Sequence, residues 1–135
     1  MKNNTEDLEK DIVSFEQAKE LHSLGWNTAT LCGYEIETGE LYNCQNYKKD
    51  GLYKPEKDLF APTKSQVFRW FREKYNYIPH IYKYQDLNKY DFDLYGGLLD
   101  LYDEYSLGDD VFDTYEEAED ACIYKLIELA KQQDK

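Results

Sequence analysis

Lysine and arginine are missing altogether from residues 90–124, and that gap sets the charge of the whole chain. The segment holds twelve acidic residues: Asp91, Asp93, Asp100, Asp103, Glu104, Asp109, Asp110, Asp113, Glu116, Glu117, Glu119 and Asp120. The remaining 16 acidic side chains match the 16 Lys and Arg found elsewhere, so the formal net charge of −12 belongs to this one stretch. Apolar runs are also short. None approaches the ~20 residues of a membrane-spanning helix, and the opening residues Met1 to Asp7 lack the apolar core of a signal peptide. The expectation is a cytoplasmic protein with no membrane partner.

Cysteine is scarce and histidine scarcer. The three cysteines (Cys32, Cys44, Cys122) form no CxxC pair, which argues against a zinc ribbon or a dithiol redox motif. His22 and His80 lie in no recognisable Ser/His/Asp or Cys/His arrangement. Gly96-Gly97 is followed by no Lys-Ser or Lys-Thr, so a phosphate-cradling loop is missing as well. An acidic chain is also poorly suited to nucleic acid, whose affinity rests on neutralising phosphates.

What is abundant is the aromatic ring. Fourteen Tyr, six Phe and two Trp point to a core built on rings more than on aliphatics. Six tyrosines (Tyr90, Tyr95, Tyr102, Tyr105, Tyr115, Tyr124) are threaded through the acidic segment, where a rigid ring with a polar tip suits a binding surface. At 135 residues the chain is long enough for one domain with its own core.

Three boxes of the form Ser/Thr-x-x-Glu/Gln mark helix starts at Ser14, Thr63 and Thr114. The first helix places Phe15, Ala18, Leu21 and Leu24 along one side and meets a left-handed stop at Gly25. The second presents Val67, Trp70, Phe71 and Tyr75, with Arg69, Arg72 and Glu73 opposite. The third runs over about residues 114–132 with a wide apolar face at Ala118, Ala121, Cys122, Leu126 and Leu129.

Strands fill the gaps. Residues 28–36 and 41–47 read as a hairpin about Glu37-Thr38-Gly39, a register that sets Tyr34 opposite Tyr42 and Cys32 opposite Cys44. Directly opposed cysteines are close enough for a reversible disulfide, so Cys32 and Cys44 form a candidate thiol pair; small buried apolar side chains are the alternative. Residues 48–62 read as a long loop, with Leu59–Ala61 anchored. A second hairpin joins 77–85 to 88–96 through Asp86-Leu87. Residues 98–112 fit either an irregular edge strand or a short helix. The fold class expected is thus α+β: a flexible stretch over 1–11, then a single domain over 12–135 in the order helix–ββ–helix–ββ–helix, with an antiparallel sheet packed by helices.

Asp91, Asp93 and Gly96 coincide with positions 1, 3 and 6 of an EF-hand loop, but Tyr95 and Tyr102 occupy positions 5 and 12, where Asp/Asn and Glu are needed. Strand alternation accounts for Asp91 and Asp93 equally well, as one solvated face, and neither metal nor cofactor is expected.

From Ser14 to its end the chain resembles small uncharacterised proteins of Bacteroidetes genomes and their phages or prophages. The resemblance rests on Ser14-Phe-Glu-Gln-Ala-Lys-Glu-Leu, on Ala61-Pro-Thr with Trp70-Phe-Arg-Glu-Lys-Tyr75, and on Thr114-Tyr-Glu-Glu-Ala with Lys125-Leu-Ile-Glu-Leu. It implies a mobile-element setting in a reducing cytoplasm and carries over no functional residue.

The functional expectation is a non-enzymatic protein that docks a basic protein partner through residues 90–124, as a monomer or homodimer. Its candidate contacts are Tyr95, Asp100, Tyr102, Asp103, Glu104, Tyr105, Asp109 and Asp110. Residues 48–89, with ten Lys/Arg against five acidic side chains and many tyrosines, offer a nucleic-acid alternative. A small enzyme of unrecognised class is the third.

Overall fold

A computed structural model describes residues 10–43, 56–96, 105–106 and 111–134. Its elements are α1 (Phe15–Ser23), β1 (Cys32–Glu35), β2 (Leu41–Asn43), β3 (Asp58–Ala61), α2 (Lys64–Tyr75), β4 (Tyr77–Lys83), β5 (Tyr90–Gly96), β6 (Tyr105–Ser106) and α3 (Tyr115–Gln133). The α+β class and the expected order hold, with a third strand added to each strand pair. The strands form two small antiparallel sheets, ordered β2-β1-β3 and β4-β5-β6. The chain divides into two compact units, residues 1–64 and 65–135.

In the first unit the box at Ser14 closes as its sequence demands. The Ser14 hydroxyl accepts from the Gln17 amide at 3.1 Å, and the Gln17 side chain accepts from the Ser14 amide at 2.8 Å. That return bond explains how Gln17 can be fully buried: its polar end is satisfied within the turn. Gly25 adopts a φ of 102°, ending the helix in the left-handed region. α1 packs on β3, and its Ala18 and Leu21 are buried. Tyr34 reaches from the central strand to donate to the Val13 carbonyl at 2.7 Å, and its ring meets Phe15 edge-on at 5.5 Å.

The first hairpin differs from expectation by one residue. Cys32 pairs with Asn43, Gly33 with Tyr42 and Tyr34 with Leu41. The cause is the turn. Gly39 has the expected left-handed φ of 74°, but its amide donates back to the Glu35 carbonyl at 2.7 Å, and Glu35 pairs with Glu40. The loop therefore takes in Ile36, which is 40 % exposed instead of facing the core. A one-residue slip turns a strand over, so Tyr42 is set across from Gly33 instead of Tyr34. Cys32 is buried across from Asn43, and Cys44 lies outside the described residues.

β3 is a true strand, not an anchored loop. It pairs with β1 from Cys32↔Ala61 to Glu35↔Asp58, making β1 central.

The second unit is built on α2, α3 and the β4-β5-β6 sheet. Val67, Phe71 and Tyr75 of α2 are buried, while Trp70 stays half-buried beneath the Lys74 ammonium, 4.8 Å from its ring. α2 ends at Asn76 with φ 62°, which swings the chain directly into β4. The β4–β5 register, Tyr77↔Gly96 through Lys83↔Tyr90, is the one implied by a tight turn at Asp86-Leu87.

α3 opens on the expected box, with the Thr114 hydroxyl accepting from the Glu117 amide and the Glu117 side chain from the Thr114 amide. Glu116 and Glu117 sit in its first turn, where the helix dipole favours them. Its face of Ala118, Cys122, Ile123, Leu126 and Ile127 is buried, and the helix packs on β4 and β5, whose Tyr77, Phe92 and Leu94 are buried as well.

Between the two readings left open for residues 98–112, the described part favours the strand. β6 pairs through Ser106 and Tyr105 with Asp93 and Leu94, and Phe112 exchanges two 2.8 Å backbone bonds with Tyr90. From one contact to the other β5 moves three residues and its neighbour six, so this edge is irregular.

Candidate binding face on the second sheet

Strand alternation assigns the two faces of the β4–β5 hairpin. Phe92 and Leu94 turn into the core, and the cross-strand pairs Ile78↔Tyr95, His80↔Asp93 and Tyr82↔Asp91 share the opposite face. Ile78 is 51 % exposed and Tyr95 37 %, and His80 is exposed. The face is therefore apolar and aromatic at one end and carries the half-buried Asp93 at its middle.

Asp91 overturns the expectation of a solvated carboxylate: it is fully buried. Its Oδ1 accepts from the Phe92 amide at 2.7 Å. Its Oδ2 accepts from the Tyr84 hydroxyl at 3.2 Å and, at the limit of hydrogen bonding, from the Tyr82 hydroxyl at 3.5 Å. All three donors are neutral. Buried carboxylates are ordinarily paired with a cation or heavily hydrogen-bonded, and among the described residues Asp91 relies on the second arrangement.

The tyrosines that cover Asp91 form a ring row along β4. His80 and Tyr82 have centroids 5.5 Å apart, tilted by 33°, and Tyr82 and Tyr84 meet edge-on at 5.6 Å. Burial, helped by the hydrogen bond with Tyr84 and by the charges of Asp91 and Asp93, pushes the Tyr82 phenol well above its ordinary pKa. Tyr82 thus holds its proton and serves as a donor, not as a base, across the physiological range.

The EF-hand pattern dissolves in this geometry. Asp91, Asp93 and Gly96 belong to one extended strand, and the Asp91 oxygens are taken by the Phe92 amide and two phenols.

Of the eight candidate contact residues, Tyr95 alone has a described side chain, exposed on this face. Tyr105 is placed by its backbone in β6, paired with Leu94. Asp100, Tyr102, Asp103, Glu104, Asp109 and Asp110 lie outside the described residues. The alternation of His80, Tyr82 and Tyr84 is legible in the sequence, where the tyrosines count toward the nucleic-acid alternative; that they lie beside the acidic strand is what the sequence did not single out.

Four described side chains of the basic region are engaged within the fold. Lys64 is buried, Arg69 pairs with Glu73 at 3.1 Å, Lys74 lies over Trp70 and Tyr75, and Lys89 pairs with Asp113. Residues 48–55 lie outside the described residues. Among the described residues no helix is long and apolar enough to cross a membrane. No family model, curated protein or solved structure matches the chain.

Proposed function

We propose that this chain is a non-enzymatic binding protein that docks a basic protein segment through residues 90–124, with the outer face of β4 and β5 as one part of the dock. The observation that carries this reading is Asp91: a fully buried carboxylate whose donors among the described residues are all neutral, beside Asp93 and beneath a row of tyrosines. The chain's surplus of negative charge is concentrated in this segment, so an approaching cation is attracted at long range and meets rings of low conformational entropy on contact. The proton-holding state of Tyr82 supports recognition over proton transfer. Engagement of Arg69, Lys74 and Lys89 within the fold weighs against a nucleic-acid surface on residues 48–89. A mobile-element origin in a bacterial cytoplasm remains part of this proposal.

The reading is tested with a blocked peptide alternating Gly with Lys or Arg, titrated into the full chain by calorimetry at several salt concentrations. Binding should weaken as salt rises. Asp93→Asn should weaken it severalfold more than Glu37→Gln, which removes an equal charge from the exposed turn of the first hairpin. Equal losses in the two variants would reduce the effect to net charge and remove the docking face.

A further inference from the structure

We infer that the cross-strand pair Ile78 and Tyr95 is an apolar seat on the docking face, and that the basic segment taken there carries a large apolar side chain among its cations. The inference rests on the docking reading above and adds a second requirement, beyond charge, on the partner's sequence.

The seat follows from the register. Ile78 and Tyr95 are directly opposed on the face turned away from Phe92 and Leu94, and both are exposed. Opposed side chains on one face stand about 4.5–5.5 Å apart at Cβ, so an aliphatic side chain and an aromatic ring lie next to each other. Exposed apolar residues scattered singly are ordinary. A pair brought together from two strands, one member a tyrosine, has the make-up of the apolar centre of an interface.

Charge decides what can sit there. Residues 65–135, the unit that carries the pair, hold 16 acidic side chains against eight Lys and Arg. A second copy of the chain would bring its own net charge of −12 to the contact, and a nucleic acid or an anionic membrane would bring its phosphates. Each of these is repelled as it approaches, whereas a basic polypeptide is drawn in. That attraction acts on every basic chain and is screened by salt. Burial of an apolar side chain against Ile78 and Tyr95 acts only on contact and is not screened, so it can tell one basic segment from another.

The test titrates the full chain by calorimetry with two blocked peptides that alternate Lys with Gly and differ at one central position, Leu in one and Ala in the other. The Leu peptide should bind about tenfold more tightly. Rising salt should weaken both peptides and leave their ratio unchanged; a ratio that shrinks in step with the total binding would overturn the inference. Ile78→Thr and Tyr95→Thr place at exposed strand positions a residue that suits a strand, and each should bring the ratio below about threefold. Either variant carries the test if the other does not fold. Leu87→Thr removes a similarly exposed aliphatic side chain from the turn at the other end of the hairpin, and there the full preference should remain. Equal affinities of the two peptides for the wild type, or a preference lost in Leu87→Thr as much as in Ile78→Thr, would overturn the apolar seat while leaving a cation-docking face. Failure of both peptides to bind at low salt would overturn the docking reading, and the seat with it.

Discussion

Gly96 faces the backbone of Asn76 so closely that a Cβ at Gly96 would collide with the Asn76 carbonyl oxygen. Both residues lie at positive φ, 86° and 62°. The end of α2 and the end of β5 are therefore fitted together, and only glycine permits the approach at Gly96. Gly96→Ala combines a backbone clash with a strained φ, and should cost about 2–4 kcal/mol. Gly33→Ala meets mainly the Tyr42 ring, with the hydroxyl at 2.7 Å, which can swing aside, and should cost about half as much. Urea melts of the two variants check the order; a Gly33→Ala loss greater than that of Gly96→Ala would contradict it.

Asp91 should behave as a structural acceptor whose loss is felt by its donors. Asp91→Ala leaves two phenols and the Phe92 amide without it, and should destabilise the protein by about 2–4 kcal/mol. Asp91→Asn keeps one acceptor oxygen and should cost less than half of that. If both substitutions leave the thermal midpoint unchanged, the network contributes nothing to stability.

Stability should decline in alkali. Burial, then the hydrogen bond to and charge of Asp134, raise the Tyr75 phenol; Tyr82 and Tyr115 are also raised, in each case first by burial. A phenol with a raised pKa in the fold binds its proton more tightly there than in the unfolded chain. Its contribution is complete below the ordinary value of about 10 and is lost as pH climbs from there through the folded value. Denaturant midpoints should therefore be flat with respect to these groups from pH 7 to 9 and fall above pH 10. Tyr75→Phe should lower the plateau by about 1 kcal/mol, through loss of the 2.8 Å bond to Asp134, and make the alkaline fall shallower.

Thiol chemistry should separate the cysteines. Cys32 and Cys122 are both buried, and burial, aided by Glu119, pushes the Cys122 thiol far above its usual range. A chromogenic disulfide reagent should label no more than one of the three thiols in the native protein and all three in denaturant. Prompt labelling of two or more in the native state would contradict the burial of Cys32 and Cys122.

The parts of this fold that could be read from sequence are those decided within a few residues. Ser14 with Gln17 and Thr114 with Glu117 satisfy amides three positions away, and Gly25 ends its own helix, so no distant partner is needed to specify them. The β4–β5 register was also legible, because a two-residue turn leaves one pairing that keeps Phe92 and Leu94 inside. The first hairpin was not. Gly39 took its expected conformation, but the Gly39-to-Glu35 bond drew Ile36 into the loop, a choice that composition does not disclose. β3 was hidden by its length, since four residues with an aspartate at the start look like loop until β1 is beside them. For Asp91 alternation assigned the correct face and the wrong depth. Whether a residue on a sheet's outer face sees water depends on its cross-strand neighbours, and Tyr82 and Tyr84 arrive from another strand.

Pro79 sits in the middle of β4, opposite Leu94, on a strand that among the described residues forms one margin of its sheet. The Tyr84 amide donates to the Lys89 carbonyl. Counting back along the antiparallel ladder, even-numbered residues of β4 bond toward β5 and odd-numbered ones point away. The nitrogen of Pro79 therefore lies on the outer margin, where it interrupts no bond to β5 but removes a donor from any strand that tried to add there. A strand added on that side would lose one ladder bond to an atom the residue lacks. An uncovered strand margin invites edge-to-edge stacking, and this imino acid weakens the backbone template that β4 offers beside its aromatic face.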